Sequence, residues 1–209
     1  MFFLSGKDTL TPSARDWLRR EKIEILPAEQ AKPGEYVLPN GARFLEKPEA
    51  FTHLRDNVLV PKKHPVIAFR GAMDTLQAEL LLAQSAIKGQ KQADLGEILS
   101  LARQIIAKEV MQEPLNVTVL CGLTQEEMRR HSHFPQEYYG QPHFMPECTD
   151  GEALLRINRA RCATRAAELA AAVAFTDAEG LCSREDILQT LNRMSSMLYI
   201  LMVRIKAGG

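Results

Sequence analysis

From Pro65 onward the apolar positions fall into helical register. Phe69, Met73, Leu76, Leu80, Ala83 and Ile87 recur at intervals of 4, 3, 4, 3 and 4 residues, a single stripe that Gly89 closes. A second helix is predicted over about 92–112, carried by Leu95, Ile98, Leu99, Ala102 and Ile105. A short third follows Thr124, which forms a capping-box signature with Glu127. The fourth covers about 151–175, with Leu155, Cys162, Ala166, Leu169 and Val173 as its stripe. A fifth covers about 183–206 and opens at Ser183, with Asp186 three residues on. Its stripe of Leu188, Leu191, Ser195, Leu198, Met202 and Ile205 is spaced 3-4-3-4-3, the seam spacing of bundle helices.

The first sixty residues differ. Thr11 before Pro12 suits the start of a short helix. "EKIEILP", "AKPGEYVLPNGARFLEK" and "DNVLVPKK" are short extended pieces punctuated by Pro, Gly and Asn. The expected fold class is therefore all-α: a five-helix bundle over 61–209, with a small mixed N-terminal extension over 1–60. The stretch "HSHFPQEYYGQPHFMPECTDG" between the third and fourth helices reads as irregular.

Composition adds limits. Of 209 residues, 45% are hydrophobic and 25% charged, and the formal net charge is zero, so no global field draws nucleic acid or an anionic membrane. A local anion pocket stays open. Four cysteines without C-x-x-C spacing read as free thiols of a reducing cytosol. "MFFL" is too short for a signal segment and "MLYILMV" too short to span a bilayer, so a cytoplasmic protein is expected.

Chemistry is sparse. No P-loop, dinucleotide fingerprint or nucleophile elbow occurs. His131, His133, His143 and Cys148 form H-x-H-x9-H-x4-C, which matches no common zinc pattern, and no metal site is expected. Arg70 and Asp74 are four apart, the spacing of a surface ion pair worth about 0.3–0.5 kcal/mol. In "ARCATRAAEL" the pair Arg161 and Arg165, with Glu168 three further on, sits about 100° from the fourth helix's stripe. Such an edge is either a solvated charged face or an anion site.

Three blocks together resemble the ATP:corrinoid adenosyltransferases, in particular the ethanolamine-utilisation type. "VPKKHPVIAFRGAMDTLQAEL" resembles the family's RPK…V…A.G..DELN, with Pro61, Lys62, Gly71 and Asp74 in register. "HFMPEC" followed by "ARCATRAAEL" resembles F-x-L-P-G-G and ART-x-C-RRAER. "LNRMSSMLYILMVR" resembles LNRLSDYLFVLAR. The resemblance implies a helical bundle that transfers the 5′-deoxyadenosyl group of ATP to cob(I)alamin, with Mg²⁺. Cobalt is then the nucleophile, so no Ser, Cys or base is needed. By the same resemblance Arg161 pairs with Asp74 across a subunit interface, Arg165, Glu168 and Asn192 belong to the ATP site, and Lys62 lies on the phosphate side. The family's glycine-rich ATP loop corresponds to "FLEKPEAFTHL", where Lys47 and Thr52 are the substitutes. The phenylalanine that keeps cobalt's lower face free corresponds to His143 by count, with Phe144 beside it. Phe144 is assigned the excluding role, and His143 is the alternative as a cobalt ligand. The implied partners are ATP and cob(I)alamin, further copies in a homotrimer or dimer, a reductase and an adenosylcobalamin-dependent enzyme, inside a bacterial microcompartment. The competing readings are a corrinoid carrier without catalysis and a purely structural bundle.

Overall fold

The computed structural model describes residues 2–4, 12–20, 25–27 and 35–208. The chain divides into two compact units, Met1–Ile67 and Ala68–Gly209.

The first unit holds strands β1 (Phe2–Leu4), β2 (Ile25–Pro27), β3 (Tyr36–Val37), β4 (Arg43–Phe44), β5 (Phe51–Arg55) and β6 (Val58–Pro61), with helix α1 (Pro12–Arg20). They form one mixed sheet of order β2-β1-β4-β3-β6-β5. The chain is mostly helical, so the all-α expectation holds only roughly: the mixed extension builds a sheet. Strands of two to five residues are too short to show alternation in the sequence, so their pairing could not be read. A small core forms around Leu18, Ala42 and Phe44. Phe51 adds aromatic contacts to Phe44 at 5.6 Å and edge-on to Trp17 at 6.2 Å. Thr52 belongs to β5, where it pairs with Val60, so half of the expected phosphate loop is strand. Thr11 lies outside the described residues.

Helix α2 (Pro65–Ser85) begins just before the division between the units; its first turn accepts a cap from His64, whose Nδ1 receives the Val66 N–H. The second unit continues with α3 (Gln90–Val110), a hairpin of β7 (Val119–Leu120) and β8 (Leu123–Thr124), α4 (Gln125–His133), α5 (Pro135–Tyr139), a 3-10 turn at Cys148–Asp150, α6 (Glu152–Phe175) and α7 (Glu185–Lys206). Phe69, Met73, Leu76, Leu80 and Ala83 are fully buried, as their spacing predicts. Gly89 (φ 69°) serves as the N-cap of α3 rather than the end of α2. Thr124 and Glu127 form the complete capping box. The fifth helix starts later than expected. Ser183 donates its hydroxyl to the Phe175 carbonyl, and the Asp186 carboxylate accepts the Leu115 N–H at 2.8 Å, so neither caps α7. α5 was missed within the irregular stretch, although Pro135 opens it and left-handed Gly140 (φ 67°) closes it.

Two side-chain expectations are corrected. Arg70 pairs with Glu109 of α3, at 2.7 Å and 3.2 Å, instead of with Asp74. The buried face of α6 is Leu154, Ile157, Ala160, Thr164, Ala167 and Ala171, while Cys162, Ala166, Leu169 and Val173 face outward. Arg161, Arg165 and Glu168 each follow a buried residue by one position, so they still lie at the helix shoulder. α7 is buried on most sides, through Ile187, Met194, Met197, Ile200, Leu201 and Val203 as well as the seam.

Candidate functional site

The shoulder of α6 opens onto a pocket of about 670 Å³, bounded also by α4, α7 and residues 143–145. Arg161 and Arg165 reach it from α6, Arg129 from α4 and Arg193 from α7. Among the described residues no Asp or Glu lines it. Burial lowers the pKa of Arg193, as does the neighbouring Arg129, with Glu168 opposing them. Four guanidiniums around one cavity favour a multiply charged anion, because planar forks match phosphate or carboxylate oxygens.

Asn192 lines the same wall, and its Nδ2 donates to Glu168 Oε1 at 2.9 Å. Glu168 thus stands one hydrogen bond behind Asn192 and fixes its amide, leaving the side-chain Oδ1 as the acceptor that the amide can offer a ligand. His143, Phe144 and Tyr199 also line the pocket. The Tyr199 ring stacks with His143 (5.7 Å, 16°) and with Phe144 (6.1 Å, 24°). The Arg161 guanidinium lies 5.5 Å from the centre of the same ring, a cation–π contact. His143 Nδ1 is 2.9 Å from the Tyr199 hydroxyl, and its Nε2 is 3.1 Å from the His133 carbonyl.

The pocket therefore brings together Arg161, Arg165, Asn192, His143 and Phe144. Asp74 does not line it and is exposed on α2. Lys47, Thr52 and Lys62 belong to the first unit. There Lys62 pairs with Glu49, and this hydrogen bond holds the Glu49 carboxyl below its ordinary pKa. Sequence reasoning missed Arg129, Arg193 and Tyr199. Arg193 adjoins Asn192 and could have been read with it, whereas Tyr199 is hidden within an apolar run and Arg129 looks like any exposed helix arginine.

Among the described residues no three His, Cys, Asp or Glu side chains converge as a metal cage. His131, one member of the metal pattern considered from sequence, bonds through Nδ1 to the Tyr139 hydroxyl at 2.7 Å, and burial lowers its pKa. Burial, with Glu97 and Asp94 nearby, pushes the Cys121 thiol up to about 12, which removes it as a nucleophile. Among the described residues no helix is long and apolar enough to cross a membrane.

The family described as cobalamin adenosyltransferase matches residues 45–205. The chain belongs to that family. The corrinoid adenosyltransferase EutT of Salmonella typhimurium is 33% identical over 217 residues, covering 93% of this chain and 81% of that protein. The Escherichia coli EutT is 33% identical over 158 residues, 76% of this chain and 59% of its own length. Among solved structures, a variant PduO-type adenosyltransferase from Lactobacillus reuteri, complexed with ATP, shares the fold with a TM-score of 0.53 at 19% identity. It covers 77% of this chain and 90% of its own. A second variant of that enzyme, complexed with cobalamin and ATP, gives a TM-score of 0.50 at 20% identity, over 72% of this chain and 84% of its own. The matched span contains α2 to α6, α7 through Ile205, and every described residue that lines the pocket.

Proposed function

We propose that this chain is an ATP:corrinoid adenosyltransferase of the ethanolamine-utilisation type and that the arginine-lined pocket is its substrate site. The observation that carries the reading is the meeting of Arg161, Arg165, Asn192 and Phe144 around one cavity that no carboxylate lines among the described residues. Cob(I)alamin attacks C5′ of ATP; the cobalt–carbon bond forms, the C5′–O bond breaks, and triphosphate leaves with the electron pair. The protein supplies orientation, which in well-aligned reactions accounts for about 7–11 kcal/mol of barrier. Arg165 and Asn192 hold the nucleotide, and the arginines stabilise charge developing on the leaving phosphates. Phe144 covers one face of the cobalt. Mg²⁺ would accompany the nucleotide, and no step is assigned to it.

Arg161 joins the partner subunit's Asp74 in a homotrimer with sites between copies. Support comes from the exposed position of Asp74 and from the outward apolar stripe of α6, where Leu169 is 68% and Val173 63% exposed. Ethanolamine use fits the EutT relatives; a microcompartment setting, a reductase upstream and an adenosylcobalamin-dependent enzyme downstream belong to the same proposal.

A second reading, a corrinoid carrier, is favoured by the phosphate segment, where Thr52 lies in a strand and Lys62 is already paired. The test is anaerobic. Purified protein is mixed with ATP, Mg²⁺ and chemically reduced cobalamin, and the cob(I)alamin absorbance band is followed. Decay that requires both protein and ATP, with a light-sensitive product, is expected. A persistent band with corrinoid still bound would establish the carrier.

A further inference from the structure

The contacts of His143 go beyond what places it in the pocket. The His133 carbonyl ends α4 and can only accept, so His143 Nε2 carries a proton and satisfies one of the helix's terminal carbonyls. In the neutral ring a single lone pair then remains, on Nδ1. The Tyr199 hydroxyl lies 2.9 Å from it and donates to it. Tyr199 is itself fixed by the Arg161 guanidinium over its ring and by stacking with Phe144. His143 is exposed on the pocket wall, so without Tyr199 that lone pair would face whatever the pocket holds. Neutral imidazole is a strong ligand for cobalt and related metals.

We propose that Tyr199 is a positioning residue that occupies the free lone pair of His143 and so prevents the histidine from ligating the corrinoid cobalt. This inference rests on the functional reading above. It assigns the hydroxyl of Tyr199 a job that its ring cannot perform, which makes Tyr199→Phe the informative variant: stacking and the cation–π contact stay and only the hydrogen bond goes.

The experiment uses cob(II)inamide, a corrinoid with no base of its own, bound to the full chain with Mg²⁺ and ATP. Electron paramagnetic resonance then reports any nitrogen the protein places on cobalt. The wild type is expected to show no nitrogen splitting. Tyr199→Phe is expected to show the three-line splitting of one axial nitrogen, lost again in the double variant Tyr199→Phe, His143→Ala. Histidine ¹⁵N shifts of the free protein are expected to move from a single Nε2–H tautomer in the wild type to a mixture in Tyr199→Phe. Nitrogen splitting in the wild type, or none in Tyr199→Phe with corrinoid bound, overturns the proposal alone. Failure of both proteins to retain corrinoid on ultrafiltration overturns the functional reading and this proposal with it.

Discussion

Arg193 is a charge whose surroundings oppose it: half-buried on α7, with Arg129 lowering its pKa further. A fold tolerates such an arrangement where an anion is to complete it. Arg165, exposed at the mouth of the same pocket, is the cleaner one to remove. Arg165→Ala is expected to weaken ATP binding by about 10- to 100-fold, the loss of one charge-assisted hydrogen bond, measured by calorimetry. Arg165→Lys should recover only part of it, because an ammonium cannot fork. The residues legible in the sequence were those held in a spaced motif, Arg161, Arg165, Glu168 and Asn192. Arg129 and Tyr199 were not, because a lone helix arginine and an aromatic in an apolar run carry no local mark of the cavity they share.

At the scale of elements, the long helices were legible because stripes of large side chains repeat over several turns. α6 shows where that reasoning breaks down. Alanine occupies so many of its positions that two faces qualify as apolar, and the bulky Leu169 and Val173 point to the wrong one. The core-facing side uses Ala160, Ala167 and Ala171, with Thr164 donating its hydroxyl to the Ala160 carbonyl at 2.9 Å. Small residues there let α6 and α7 approach closely, which brings Glu168 within reach of Asn192. The join between α2 and α3 was hidden for another reason. Sequence spacing offers Asp74 to Arg70, but Glu109, 39 positions away, is the partner and is buried. Arg70→Ala strands that carboxylate and is expected to destabilise the protein by about 3 kcal/mol, read from the urea midpoint. The joint replacement of Arg70 by Met and Glu109 by Leu should cost less than Arg70→Ala.

For the whole molecule, the outward stripe of α6 and the exposed Leu81 and Leu82 of α2 leave much apolar surface uncovered in a single chain. If further copies cover it, Leu169→Glu should yield a smaller species in light scattering and lower turnover together; an unchanged mass would separate the stripe from assembly. The sequence changes texture near residue 60, whereas the compact units divide between Ile67 and Ala68; the sheet of the first unit was not legible, since its strands pair across distances that no local pattern encodes. One consequence lies in the balance of charge. The formal net charge is zero, yet four guanidiniums share one cavity without a carboxylate in its lining among the described residues. Such a cavity is expected to draw small anions from solution, so that a phosphate ligand enters by exchange with them. Nucleotide affinity will therefore fall as ionic strength rises, and sulfate or phosphate buffers will act as competitors before any substrate is added.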